Sequence, residues 1–220
     1  HYIQAYSPFG SRSMFSDQSL KNELISFDLK KAIATLKNNG WKDSDGDNIL
    51  DNVIDGKKTD FKFTVLVSAA SEASSKMMVV FKEDLQKAGI IMDIKIMEWT
   101  SLLKILKQRN FDAVALSWSG SLNPDPYAIW HSDNIKEGGN NFVSYKNIEV
   151  DTLIIEAKKE FDIKKRAELL KKINRLIYKD QPYTFLVEDD FYRVGYDAKI
   201  NSEKWVYEYD YAPFEEMWFE

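Results

Sequence analysis

Between Phe61 and Ser117 the chain alternates strand-like and helix-like periodicity, and this alternation limits the possible folds more than any other feature. Phe61-Lys-Phe-Thr-Val-Leu-Val67 carries the β-branched and aromatic residues that suit a pleated, half-buried strand. Met77, Phe81, Leu85 and Ala88 then recur at helical spacing and stop at Gly89. Ile90 to Ile96 reads as a second strand, and Leu102, Leu103, Ile105 and Leu106 mark a second helix. Phe111 to Ser117 is apolar enough for a third strand buried on both faces. This order predicts an α/β fold whose largely parallel strands are joined by right-handed helical crossovers. Sheets of that kind place ligands in loops at the carboxyl ends of their strands.

The flanking segments are less regular. Residues 1–27 combine Pro8, Gly10 and many serines with scattered aromatics and follow neither period, which predicts an irregular stretch. Asp28 is placed to cap a short helix with Leu29, Ile33 and Leu36 on one face and Gly40 as its stop. Residues 118–150, rich in Gly, Asn, Pro and Ser, read as the longest loop-like region. Asp162 should cap a helix that buries Ala167, Leu170, Ile173 and Ile177 and ends before Pro182. Beyond Thr184-Phe-Leu-Val187, strand-like in character, runs an aromatic tail containing Trp205, Tyr207, Tyr209, Tyr211, Phe214 and Trp218.

Composition removes several classes of function. Thirty basic against 35 acidic residues give a formal net charge of −5, which argues against nucleic acid as a partner because neutralising phosphates needs a basic surface. With no cysteine there can be no thiol catalysis, thiolate zinc site or disulfide. His1 and His131 are the two imidazoles, so a histidine-based triad or metal site has at most one well-placed member. No apolar run approaches the roughly 20 residues that cross a bilayer, and no signal peptide is expected in these residues.

Two segments could carry chemistry. In Asp43-Ser-Asp45-Gly-Asp47-Asn-Ile-Leu-Asp51 the carboxylates alternate as they would to converge on a calcium ion. Asn48 stands where such a loop needs glycine and Ile54 where it needs a bidentate glutamate, so a plain acidic turn is the competing reading. The second segment runs from Trp118 through Ser119, Gly120, Ser121, Asn123 and Asp125 to Asn141 and Phe142. Its aromatic faces, hydroxyls, amides and carboxylate suit a polar organic ligand, with Trp118 as an apolar wall and Asp125 as partner for a cation. Asp125 equally suits the opening of the short helix that begins at Pro126. Trp99, just beyond the second strand, is either a rim aromatic or a further ligand contact.

The ordered set Gly40-Trp41, Asp43-Ser-Asp45-Gly-Asp47, Ala88-Gly-Ile90, Glu98-Trp99, Asp125-Pro126-Tyr127, Trp130-His131-Ser132 and Asn140-Asn-Phe142 resembles the C-terminal part of the family 5 extracellular solute-binding proteins, the peptide-binding components of bacterial ABC importers. The resemblance implies a type II periplasmic-binding-protein-like lobe that grips a solute and performs no reaction. It implies a fragment: residues 28–187 as the ligand-binding lobe, with 1–27 and 188–220 belonging with a missing lobe. It further implies a peptide or similar polar solute, permease subunits as partners, and a periplasmic or extracellular location with a lipoprotein anchor on the full-length protein. Peptide-binding relatives pair the ligand's α-amino group with a carboxylate at the place held here by Ser121 or Leu122, so free-amine peptides are in question. Two other classes stay open: a hydrolase using paired carboxylates, and a calcium-stabilised adhesion or scaffold module.

Overall fold

A computed structural model describes residues 2–119, 123–189, 200–202 and 217–219. The chain divides into two compact units, Ile25–Trp118 and a second formed by His1–Leu24 with Ser119–Glu220. The aromatic tail from Trp205 to Phe214 lies outside the described residues.

In the unit Ile25–Trp118, α1 (Leu29–Asn38) starts where Asp28 accepts a hydrogen bond from the Lys31 amide, as its capping position predicts. A three-stranded parallel sheet follows, built from β4 (Lys62–Ser68), β5 (Ile91–Met97) and β6 (Ala113–Ala115) with β4 in the centre. Helices α2 (Glu72–Lys87) and α3 (Trp99–Gln108) join consecutive strands of that sheet. Leu102 and Leu106 of α3 are fully buried, as are Val67 of β4 and, nearly so, Met92 of β5. The third strand is shorter than its apolar run predicts and only half-buried. Among the described residues it pairs with β4 alone.

A hairpin also lies where the sequence reads as a polar turn: β2 (Asp51–Ile54) pairs antiparallel with β3 (Lys57–Asp60). Asp55 and Gly56 between them both have positive φ, the two-residue turn whose twist matches the strands it joins.

The second unit has a helical core. α5 (Ile148–Lys159) and α6 (Ile163–Asp180) bury Val150, Ile154 and Ala157 against Ala167, Leu170, Ile173 and Ile177, with Phe9, Phe15, Trp130 and Tyr145 closing the cluster. Asn147 and Asp162 cap the two helices, each accepting two backbone N–H bonds. The predicted loop 118–150 thus ends in a helix start and also holds a short helix, α4 (Tyr127–Trp130). β1 (Tyr2–Gln4) pairs antiparallel with β7 (Val187–Asp189), and β8 (Ile200–Ser202) with β9 (Met217–Phe219). Among the described residues no helix is long and apolar enough to cross a membrane.

A buried amide helps to hold the irregular N-terminal stretch. Asn174 of α6 is fully buried, donates to the Tyr6 carbonyl at 3.1 Å and accepts from the Asp17 amide at 2.9 Å. Arg175 beside it pairs with Asp17 and Glu23. Asn174→Leu strands a buried carbonyl and an amide, and should lower the unfolding free energy by about 2–4 kcal/mol. Urea unfolding measures this, and a loss well under ~1 kcal/mol would show that other contacts hold the stretch.

Candidate functional site

The carboxyl end of the parallel sheet is the natural place for a site in the unit Ile25–Trp118. Ser68 ends β4 opposite Met97 of β5, and Val67 lies opposite Ala115 of β6. The Ala69 amide donates to the Met97 carbonyl at 2.9 Å, locking the first two strand exits together. Trp99 is the first residue of α3 and is 49% exposed; Trp118, three residues past β6, is 43% exposed. Because β5 and β6 flank β4, the two tryptophans follow strands that leave the sheet on either side of the central one, strands on the order of 10 Å apart. Both helices also begin at this end, with Ser71 capping α2 through its hydroxyl. Two half-exposed aromatic walls beside helix starts can grip an apolar-bodied, polar-edged molecule.

The other candidates fall in the second unit, where they do different work. Ser119 and Asn123 are exposed, while Gly120 and Ser121, like Leu122, lie outside the described residues. Asp125 accepts from the Tyr127 amide at 3.0 Å and lies 3.8 Å from the Lys158 ammonium, so it opens the helix at Pro126. Asn141 is fully buried; its amide donates to the Tyr145 carbonyl at 2.8 Å and to the His131 carbonyl at 3.3 Å, and accepts from the Tyr145 amide at 2.9 Å. Phe142 is buried beside it. Expected on an open ligand face, these two instead hold the 131–145 turn together. Its Gly139 cannot be replaced, since a Cβ there would come within 2.2 Å of the Asn134 carbonyl oxygen. His131 takes the capping role that a lone histidine suggests, accepting from the Asp133 amide through Nδ1 at 3.1 Å. Burial, and then the bond it donates to Asp180 at 2.7 Å, push the Tyr145 phenol far above its ordinary range.

Sequence reasoning missed Arg166 and Lys58. Arg166 binds Asn123 and Pro124. Its only signal was a position on the half-buried flank of a helix dominated by lysines. Lys58 sits 13 residues from its partner Asp45, where only the Asp55-Gly56 turn could have hinted at their meeting.

The acidic loop is largely satisfied from within. Asp43 accepts from the Gly46 and Asn48 amides at 2.7 and 3.0 Å, and Asp47 from the Ile49 amide at 2.8 Å. Asp51 is buried and accepts from the Ser44 amide and hydroxyl, both at 2.9 Å. Carboxylate oxygens of Asp43, Asp45 and Asp51 lie within 4.8 Å of one another, whereas Asp47 is outside that group. Ile54, at the twelfth loop position, closes β2 and offers no side-chain oxygen. The Lys58 ammonium is bonded to Asp45 and lies 3.6 Å from Asp51. The bond to Lys58 holds Asp45 below the usual carboxylate range, the Ser44 bonds do the same for Asp51, and the bond to Asp45 lifts Lys58 above the usual ammonium range.

The comparisons agree with this architecture. The model of the bacterial extracellular solute-binding proteins, family 5 Middle, matches residues 1–141. The chain belongs to this family. It is 39% identical over 184 residues to the oligopeptide-binding protein AppA of Bacillus subtilis, a match covering 83% of this chain and 33% of that protein. The structure of AppA in complex with a nonapeptide superposes with a TM-score of 0.76 at 33% identity, covering 99% of this chain and 42% of that one. The pentapeptide complex of the Thermus thermophilus oligopeptide-binding protein gives 0.74 at 22% identity, covering 84% and 33%, and NikZ from Campylobacter jejuni with Ni(L-His) gives 0.71 at 22%, covering 84% and 36%. The last two define the fold alone, that of the periplasmic binding proteins. The chain spans about a third of the length of its curated relative AppA.

The charge pairing at the acidic loop fixes a pH dependence. Asp45 and Asp51, lowered in the fold, contribute stability that is present above about pH 4 and lost as pH falls through their lowered values. Lys58, raised in the fold, contributes stability that is complete below about pH 10.4 and lost as pH rises through its raised value. Lys58→Met should therefore lower Tm more at pH 7 than at pH 3, read by thermal melts at both. Equal drops at the two values would show that the ion pairs contribute nothing.

Proposed function

We propose that this chain is the part of a substrate-binding protein of a bacterial ABC importer that meets the solute through Trp99 and Trp118 at the carboxyl end of its parallel sheet, and that the solute is a peptide. What carries the reading is the pair of half-exposed tryptophans at the carboxyl end of the parallel sheet, in a chain of the solute-binding family. The name and nonapeptide complex of AppA, the relative with 39% identity, favour peptides over other polar solutes. Stacking on indole faces and bonding to the peptide backbone need no reactive group, so no bond is made or broken. With Ser121 or Leu122 at the place of the amine-pairing carboxylate, neither of them an acid, the reading favours recognition of the peptide backbone and side chains over a free α-amino group.

In this reading the remainder of the longer protein completes the grip, and the solute stabilises the closed form through contacts made only there. The membrane permease then reads closure. The protein acts outside the cytoplasmic membrane, held there by a lipid anchor. No cofactor is needed, and Lys58 supplies the counter-charge that a calcium ion would otherwise bring to the acidic loop; calorimetric heat on adding calcium, lost in Asp45→Ala, would overturn that assignment.

Native mass spectrometry of the gently purified full-length protein should show a bound peptide that leaves intact. Shortened peptide products would favour the hydrolase reading instead. Trp118→Ala and Trp99→Ala should each weaken peptide affinity about tenfold in titration calorimetry. Unchanged affinity in both would sink the assignment of the sheet end as the solute wall. The 220-residue chain alone lacks part of the contacts and should bind the same peptide weakly, and a sub-micromolar affinity would contradict the shared grip.

A further inference from the structure

The turn that follows α4 places one imidazole nitrogen between two roles that it cannot fill together. His131 is buried, and its Nδ1 accepts the Asp133 amide at 3.1 Å, capping the 3-10 turn Ser132–Asn134. Only a neutral ring that carries its hydrogen on Nε2 and keeps a lone pair on Nδ1 can do this. The same Nδ1 stands 3.6 Å from the Asp133 carboxylate and 3.9 Å from that of Asp151, in the first turn of α5. A proton on Nδ1 is attracted to both carboxylates and repelled by the amide N–H. Tyr127 of α4 stacks on the imidazole with ring centroids 4.5 Å apart, and an aromatic face of this kind also favours a cation.

The backbone around the ring is anchored independently of it. Asp151 accepts from the Ser132 amide at 2.9 Å and from the Ser132 hydroxyl, while Asn141 donates to the His131 carbonyl at 3.3 Å. The other charges at this place are Lys158 of α5, over the Tyr127 ring at 4.7 Å, and Asp125, 3.8 Å from that ammonium. Tyr127 donates its hydroxyl to Asp133 at 3.1 Å, which lifts the phenol above its ordinary range and leaves it neutral. What a proton changes here is therefore the partner of Nδ1.

We propose that His131 is a proton-operated latch on the 132–134 turn. Neutral, it closes the turn by accepting the Asp133 amide; protonated, it releases that amide and donates from Nδ1 to Asp151 and Asp133. The proton passes between solvent and Nδ1, and no covalent bond of the chain changes. Imidazoles change charge between about pH 5 and 8. Outside the cytoplasmic membrane, where the reading above puts the protein, the surroundings set that pH.

The test follows wild type, His131→Asn and Asp133→Asn in the full-length protein between about pH 8 and 5. His131→Asn offers a side-chain oxygen to cap the turn and cannot titrate. The Asp133 side chain is 66% exposed, so Asp133→Asn keeps the fold, the backbone amide and an acceptor for Tyr127 while removing one charge. The readouts are the imidazole carbon-13 shift of His131, identified by its loss in His131→Asn, and the protection of the Asp133 amide relative to its intrinsic exchange at each pH. In wild type the protection should fall about tenfold across the range, in step with the imidazole shift. It should stay level in His131→Asn, and in Asp133→Asn the fall should move to lower pH. An equal fall in His131→Asn overturns the proposal, because no imidazole is then needed. Level protection in wild type while the imidazole titrates overturns it too, as does an imidazole that keeps one charge across the range. Should His131→Asn fail to fold, a fall in Asp133→Asn at the wild-type pH overturns the proposal by itself.

Discussion

The parallel ladder of β4 with its two neighbours is the constraint on which the site in the unit Ile25–Trp118 depends. Seven residues of β4 pair with β5 in unbroken register from Lys62 opposite Ile91 to Ser68 opposite Met97, and three pair with β6. Parallel pairing forces each connection to return along the sheet, so every strand exit and every helix start gathers at one end. Register then decides what stands there. A slip of one residue would turn every side chain to the opposite face, exposing Val67 and moving the Trp99 and Trp118 exits away from the β4 terminus. The bond from the Ala69 amide to the Met97 carbonyl fixes that register at the point where it matters, one residue past the end of β4.

Exposure by itself does not mark the site. Phe161 is 99% exposed and Phe27 74%, each more open than Trp99 or Trp118. Scattered exposed apolar residues are ordinary on a protein surface. What separates the two tryptophans is their place in the topology, on exits flanking the central strand. A large ring left half in water there forgoes much of the stabilisation that burial would bring.

Much of this was legible in the sequence, and what was hidden was hidden for physical reasons. The period-2 and period-3.6 stretches between Phe61 and Leu106, the Asp28 and Asp162 caps and the buried stripe of α6 are local properties, fixed by neighbours within a few residues. The β2–β3 hairpin escaped because its strands are short and polar, although Asp55-Gly56 was a usable turn signal. α5 escaped because Val150, Ile154 and Ala157 sit just beyond a loop-rich stretch that drew attention first. The fates of Asn141 and Lys58 could not be read locally at all. An Asn in a Gly- and Asn-rich loop looks like a ligand contact, and only the packing of the 131–145 turn shows its amide closed around the Tyr145 backbone. Acids alternating at calcium spacing look like a metal loop, and only the hairpin return brings an ammonium to them.

The same contrast explains how the candidate residues divide between support and recognition. A buried amide such as Asn141 or Asn174 both donates to and accepts from the chain around it, and a side chain so committed cannot also reach for a solute without leaving a carbonyl or N–H unpaired. Recognition must therefore fall to groups whose polar atoms or ring faces still meet water, and supporting groups gain specificity by fixing where those stand. Asn174 and Trp99 illustrate the two roles. The buried asparagine is bonded to the N-terminal stretch, and the tryptophan keeps about half of its surface open. A solute-binding chain needs both, because an open aromatic wall held by a loose segment would order only on contact and lose in conformational entropy much of what the stacking contributes.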